Sequence, residues 1–296
     1  MNVVEINDVT KILGRRKALD QLNLTIKENI MTGLIGKNGA GKTTLMKILS
    51  GYWFETTGSV KVFSRRPFNN LFVSANVIYV DDQMAFSEAL TLKEILNEAG
   101  RAYPSWDPVL ANRLFDYFSF HPNARHHELS KGKKSTFNII IGLASRCALT
   151  MFDEPTTGMD ASVRKDFYRA LLKDYLAHPR SIIISSHHLE EINDLVEDII
   201  LIDEGKLFFH LSIDELKEYA VAITGGTDAL MTLLTDKEII YQNQIGDHTT
   251  YAIVKAEQSL VDKAKHLGMA LSSVTPSDLS IYLTAKHKGG IDDVFK

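Results

Sequence analysis

Eight consecutive residues, Gly36-Lys37-Asn38-Gly39-Ala40-Gly41-Lys42-Thr43, combine three glycines, two lysines and a hydroxyl. They fit the GxxxxGK[ST] pattern of a phosphate-binding loop, and each residue type has a physical reason to be there. Glycine admits backbone conformations that bring N–H groups close to a polyanion. Lys42 supplies a mobile cation for the β- and γ-phosphates, and Thr43 a hydroxyl for Mg²⁺. Lys37, Asn38, Ala40 and Thr44 complete the candidate binding set. A helix that begins near Lys42 turns the positive end of its dipole toward the phosphates. Such a loop needs a carboxylate partner, and the apolar run Leu149-Thr150-Met151-Phe152 ends in Asp153-Glu154-Pro155. Asp153 can reach Mg²⁺ through its water shell, and Glu154 can polarise an attacking water. The chemistry indicated is binding of a nucleoside triphosphate.

The elements around these residues have the right character to hold them. Thr32–Ile35 is an apolar strand that runs into the glycine loop, and Leu45–Leu49 continues it as a helix rich in Leu, Met and Ile. Strand–loop–helix is the context in which the motif carries weight. Ile182-Ile183-Ile184-Ser185-Ser186-His187 is a further apolar strand ending in a histidine.

Three more stretches resemble the ATP-binding cassette (ABC) ATPases. Leu129-Ser130-Lys131-Gly132-Lys133 is similar to the LSGGQ signature, keeping Ser130 and Gly132 but replacing the second-last Gly and the Gln by lysines. Pro155-Thr156-Thr157-Gly158-Met159-Asp160 resembles the D-loop, and Ser186-His187 the switch histidine. The resemblance covers about Val3 to Leu216. It implies two cassettes facing head to tail around two ATP molecules, with Ser130 and Gly132 on the γ-phosphate held by the partner's loop. It also implies that His187 bonds that phosphate and Glu154, and that Asp160 communicates across the dimer. Glu154 and His187 are thus the expected catalytic residues, and Thr43, Asp153 and either Asp82 or Gln83 the expected metal contacts.

The chain departs from the family's pattern at two places. Where the family has an aromatic residue that stacks on adenine, Lys11-Ile12-Leu13-Gly14 offers Leu13, which can pack on the base but has no π-face. After the strand Val77–Val80, Asp82 takes the position of the Q-loop glutamine by strict spacing, with Gln83 one residue later; either can contact Mg²⁺ or the water, with Gln83 preferred.

The expected architecture is α/β: a P-loop NTPase core with a mixed sheet, an N-terminal antiparallel β-subdomain, a helical subdomain at about 84–146, and a small C-terminal α+β domain. Residues 1–219 form the expected nucleotide-binding domain and 220–296 an accessory domain without an assigned role. Leu92, Ile95, Leu96 and Ala99 make one helical face, as do Leu110, Leu114, Phe115 and Phe118. Asp107-Pro108 reads as a capped helix start. Further helices are expected over Ala161–Leu176 and Leu189–Leu195, a strand over Ser181–Ser185, and a hairpin turning at Glu204-Gly205. In the tail, strands are expected over Glu238–Gln242 and Thr249–Lys255, and helices over Leu260–Leu267 and from Pro276 to Thr284. Lys286–Lys288 and Gly289–Gly290 read as a frayed end.

Composition narrows the function classes. The 296 residues are 45% hydrophobic and 24% charged, ordinary for a globular chain. Thirty-three basic against 37 acidic side chains, a net charge of −4, leave no footprint for sequence-independent nucleic-acid binding. Cys147 is the single cysteine, which rules out an internal disulfide and fits a reducing compartment. His121, His126 and His127 read as a solvated loop, Cys147 as a buried filler, and Trp53 and Trp106 as packing residues. The apolar stretch Thr136–Phe152 is broken by Asn138 and Arg146 and falls short of the roughly 18 apolar residues of a membrane span. A soluble chain is therefore expected, and the family resemblance implies that it is cytoplasmic and attached to the membrane's inner face through a multi-span permease.

One cassette without a coiled coil favours the ATPase subunit of a transporter over a soluble ABC ATPase acting on nucleic acid or ribosomes. The Ser130-Lys131-Gly132 signature and the PSDLSIYLT tail resemble bacterial exporter ATPases for bacitracin resistance, peptide-toxin export and GntR-type operons. The partner would be a second copy or a homologous subunit, and the cofactors ATP and Mg²⁺. A permease helix would enter a groove around Asp82–Leu96, with Phe86, Leu90 and Leu92 as its apolar floor.

Overall fold

The computed structural model describes residues 1–284, so the Lys286–Lys288 and Gly289–Gly290 end lies outside the described residues. Two compact units are formed, one by Met1–His187 with Asp194–His210, the other by His188–Asn193 with the chain from Leu211 onward.

The first unit opens with β1 (Asn2–Leu13) and β2 (Arg16–Lys27), which pair antiparallel with Ile6 opposite Leu24 and Val4 opposite Ile26. Alternating apolar side chains put Val4, Ile6, Leu22, Leu24 and Ile26 on one buried face. Next come β3 (Met31–Ile35), α1 (Lys42–Leu49), and β4 (Thr57–Val62), which pairs with β1 and completes a three-stranded sheet. The chain continues through α2 (Leu71–Asn76) into β5 (Val77–Val80).

Helical structure follows in α3 (Leu92–Ala102), α4 (Pro108–Tyr117) and α5 (Lys131–Ser145). Thr91 and Glu94 form a capping box on α3. Asp107 caps α4 by accepting from the amides of Val109 and Leu110 at 2.9 Å each, with Pro108 in the first turn as expected. Helix α5 is buried continuously from Ser135 to Ser145, the pattern of a helix enclosed on all sides. Phe137 meets Phe86, Phe115 and Phe120 edge-on or nearly so, and burial of such a ring contributes about 1.5–3 kcal/mol. At the far end Arg146 pairs with Asp107 at 2.9 Å and with Asp174 at 3.0 Å, and Arg180 also meets Asp174, at 2.8 Å.

The remaining strands are β6 (Leu149–Asp153), β7 (Ser181–Ser186) after the helix α6 (Ala161–Ala177), then β8 (Asp198–Asp203) and β9 (Lys206–Ser212). Glu204 and Gly205 join the last two, both at positive φ, as a tight two-residue hairpin requires. The six-stranded sheet has the order β5-β6-β7-β3-β8-β9, and its first five strands are parallel. Such strands are covered on both faces, and β3, β5, β6 and β7 are buried along their whole length around mostly apolar runs. Because β6, β7 and β3 are neighbours, their carboxyl ends bring Asp153, Ser186 and Gly36 to one edge. Ligands of open α/β sheets bind at that edge. Among the described residues no helix is long and apolar enough to cross a membrane.

The expected helix over Leu189–Leu195 is not formed; a single 3₁₀ turn at Leu189–Glu191 stands there. Asn193 and Asp194 favour turns over helix interiors, and the Glu190 carboxylate accepts from the Ser277 hydroxyl at 2.7 Å. That turn belongs to the second unit.

The second unit continues with α7 (Ile213–Glu218), β10 (Ala220–Gly226), α8 (Thr227–Leu233), β11 (Ile239–Ile245), β12 (Thr249–Lys255), α9 (Gln258–His266), β13 (Ala270–Ser273) and α10 (Pro276–Thr284). Its strands pair in the order β11-β12-β10-β13, a split β-α-β arrangement. Ile223, Leu230, Ala252, Val254 and Leu260 form its own core. The mixed α/β core and the small α+β tail thus match the architecture expected from sequence.

Candidate nucleotide site

The glycine loop lies between β3 and α1, and two of its glycines are required by close approach. A Cβ on Gly36 would collide with the Ile202 carbonyl oxygen, and one on Gly41 would lie 2.6 Å from that of Ala18. Both adopt positive φ, at 158° and 116°. Lys42 is 5% exposed; its ammonium donates to the Gly36 carbonyl at 2.6 Å and pairs with Glu154 at 3.3 Å. A cavity of about 240 Å³ is bounded by residues 37–44 of the loop together with Leu13, Arg16, Ala18 and Glu154. Leu13 therefore does reach the space beside the loop, half-exposed at 39%.

The two carboxylates after β6 are held differently. Asp153 accepts from the Thr43 hydroxyl at 2.7 Å, from Tyr79 at 2.8 Å and from Ser185 at 2.5 Å. Glu154 has left-handed backbone, φ 49°, unusual for a residue with a side chain. That turn swings its carboxylate between Lys42 and His187, whose Nδ1 lies 2.6 Å from Oε2. The Ser185 hydroxyl also accepts from the Glu154 amide at 2.9 Å, so one side chain braces both acids. Thr43 and Asp153, Glu154 and His187 were paired on sequence grounds, and the fold brings each pair together.

Ser130, Gly132 and Asp160 lie elsewhere. They line a separate cavity of about 720 Å³ with Tyr117, Lys131 and Asp166, and it shares no lining residue with the first. Ser130 caps α5 and accepts from the Lys133 amide at 3.4 Å; Asp160 stands at the start of α6. A Cβ on Gly132 would lie 2.6 Å from the Gly158 carbonyl oxygen, so α5 and the turn before α6 touch through bare backbone. Asp82 and Gln83 are both exposed and joined by a 3.0 Å bond, and Asp82 pairs with Lys131 at 3.4 Å. Of the two, Asp82 lines the small recess that also contains Glu154; Gln83 does not.

Other sequence readings are corrected here. His126 is not solvated: it is 7% exposed, bonds Asn138 at 2.9 Å and meets the Phe86 ring edge-on at 4.9 Å. Asn138 in turn donates to the Asp81 carbonyl at 3.1 Å, tying α5 to the segment that carries Asp82 and Gln83. Leu92 is wholly buried and so cannot floor an open groove, whereas Phe86 is half-buried against Phe137 and Leu90 is half-buried too. His121 and His127 are exposed, as expected of a loop. Cys147 is a buried filler whose thiol burial pushes up to about 11.

Burial holds His126 below the ordinary histidine value, against the opposing bond from Asn138. The unfolded chain therefore takes up this proton more readily. The residue's contribution is complete above about pH 6.5 and is lost as pH falls through that value toward the lowered folded one. Urea unfolding across pH is expected to give falling stability below about pH 6.5, and His126→Gln to flatten that slope.

Sequence reasoning passed over Tyr79, Ser185, Asn138 and Arg16. Tyr79 did carry a signal, since a phenol inside a buried strand needs a partner. Arg16 donates to the Gly39 carbonyl and borders the first cavity; nothing in its polar hairpin marks it out.

An ABC transporter family model matches residues 19–157. The ABC transporter ATP-binding protein YtrB of Bacillus subtilis is 28% identical over 288 residues, covering 97% of this chain and 99% of that protein. The bacitracin transport ATP-binding protein BcrA of Bacillus licheniformis is 28% identical over 219 residues, 73% of this chain and 72% of its own. In fold, a cassette solved as a dimer in a post-hydrolysis state with ADP and Pi superposes with a TM-score of 0.62 at 20% identity, over 71% of this chain and 98% of that one. With the loop, the paired acids and the histidine assembled at one sheet edge, residues 19–157 form a domain of the ABC transporter family, and the chain as a whole is similar to ABC transporter ATP-binding proteins.

Proposed function

We propose that the chain is the ATP-hydrolysing subunit of an exporter, working as a head-to-tail pair of cassettes that drives a separate multi-span permease. One observation carries the pairing: Ser130, Gly132 and Asp160 line a cavity apart from the one bounded by Lys42 and Glu154. A hydroxyl and helix-start amides are good anion ligands. They can meet a triphosphate held by Lys42 only if a second cassette presents them. The dimeric cassette with ADP and Pi supports that arrangement, and the bacitracin-transport relative supports export. Among the described residues no helix is long and apolar enough to cross a membrane, and in this reading the permease supplies the membrane-spanning part.

The residues fit a divalent cation: a hydroxyl and a carboxylate within 2.7 Å of each other are the hard oxygen donors Mg²⁺ prefers. Thr43 and Asp153 would hold it, with Asp82 or Gln83 nearby. Bound there, the ion would neutralise charge on the β- and γ-phosphates. Lys42 now neutralises Glu154. A triphosphate carries more charge and draws that ammonium to itself, which frees Glu154 to accept a proton from water. His187 keeps the carboxylate aimed, and Ser130 and Gly132 of the second cassette close over the γ-phosphate. Catalysis is then positioning and charge stabilisation of an in-line attack.

Mixing two crippled variants tests the pairing. Lys42→Ala and Ser130→Arg are each expected to be inactive alone. Their mixture forms pairs with one intact composite site, and ATP turnover is expected to return. A mixture as inactive as its components would contradict the shared site.

A further inference from the structure

Tyr79 is 4% exposed, near the end of β5 and opposite Met151 of β6, two residues before Asp153. Its ring is fixed edge-on against Tyr52, with centroids 5.9 Å apart. Its hydroxyl donates to Oδ2 of Asp153 at 2.8 Å. This is the oxygen that also accepts from Thr43, at 2.7 Å, and so the one turned toward the phosphate-binding loop. Ser185 serves the other oxygen. A cation beside the nucleotide would claim the Thr43 hydroxyl, leaving Tyr79 as the donor that still holds this oxygen.

We propose that Tyr79 is a positioning residue for the divalent cation, its phenol fixing the metal-facing oxygen of Asp153. The inference rests on the assignment of Thr43 and Asp153 as metal contacts. Burial, reinforced by the negative charges of Asp153 and Asp81, holds the phenol far above the ordinary tyrosine range. A tyrosine phenol, which ordinarily titrates at about 10, is in any case a donor at neutral pH. Asp81, whose negative charge acts on the same phenol, immediately precedes Asp82 and Gln83. Losing an outer partner of a metal ligand typically costs about 10–100-fold in metal affinity.

The test is Tyr79→Phe, which keeps the buried ring and removes only the hydroxyl. Binding of a fluorescent β,γ-imido analogue of ATP is measured in EDTA and then across a Mg²⁺ titration. The variant is expected to match the wild type in EDTA, while its Mg²⁺ midpoint rises about tenfold. Mn²⁺ bound with the same analogue should show altered zero-field splitting by electron paramagnetic resonance. An unchanged midpoint, or equal losses of affinity with and without metal, would overturn the proposal and make Tyr79 a packing residue. A wild type indifferent to Mg²⁺ would instead overturn the metal assignment itself, a failure seen before any variant is compared.

Discussion

Glu154→Gln is expected to lower ATP turnover about 10²–10⁴-fold, the usual contribution of a positioned general base, while leaving ATP affinity close to that of the wild type. The geometry supports both halves of that expectation. Glu154 reaches its place through a left-handed backbone turn, and Gln can adopt that turn as well as Glu. The amide keeps the shape and a carbonyl oxygen for His187 but cannot take a proton from water. The bond to His187 at 2.6 Å and the pair with Lys42 at 3.3 Å act on the carboxylate, not on phosphate-binding backbone. Steady-state phosphate release alongside fluorescent-nucleotide binding measures the two effects separately. Equal losses of affinity and turnover would make Glu154 a binding residue.

Lys42→Ala should affect both. A charge-assisted bond contributes about 1.5–3 kcal/mol, so ATP affinity is expected to fall about 10–100-fold. Turnover at saturation should fall a further 10²–10³-fold, as when one preorganised donor is removed from a developing charge. The ammonium is 5% exposed and anchored to the Gly36 carbonyl. Lys42→Arg is expected to recover little, because a planar fork does not occupy the point the compact ammonium fills. Isothermal titration with ATP and a single-turnover assay distinguish the two losses, and full affinity in Lys42→Ala would be incompatible with the loop's assigned role.

The glycine loop, the acids after β6 and the histidine after β7 were legible because chemistry demanded both type and order. Each follows an apolar strand, and parallel strands buried on both faces advertise themselves as apolar runs. Tyr79 and Ser185 were not legible, since a polar side chain within such a run looks like packing until its partner is known. His126 was misread because a run of polar residues around it suggested solvent, whereas Phe86, Phe137 and Asn138 come from distant sequence to bury it. In the tail, β12 was recognised from Thr249 to Lys255 over its full length, but β10 ends in Gly225-Gly226, α8 has seven residues and β13 four. Elements so short owe their form to one another more than to local periodicity. Leu189–Leu195 shows the reverse case, a helical pattern of apolar residues diverted into a turn by Asn193, Asp194 and the Ser277–Glu190 bond.

The central claim is that ATP is enclosed by two cassettes and not by one. Light scattering of the Glu154→Gln chain, with and without ATP, tests it most directly. The chain weighs 33.2 kDa. The account predicts that mass without nucleotide and twice that mass once ATP is bound. A chain that binds ATP and stays at 33.2 kDa would contradict it.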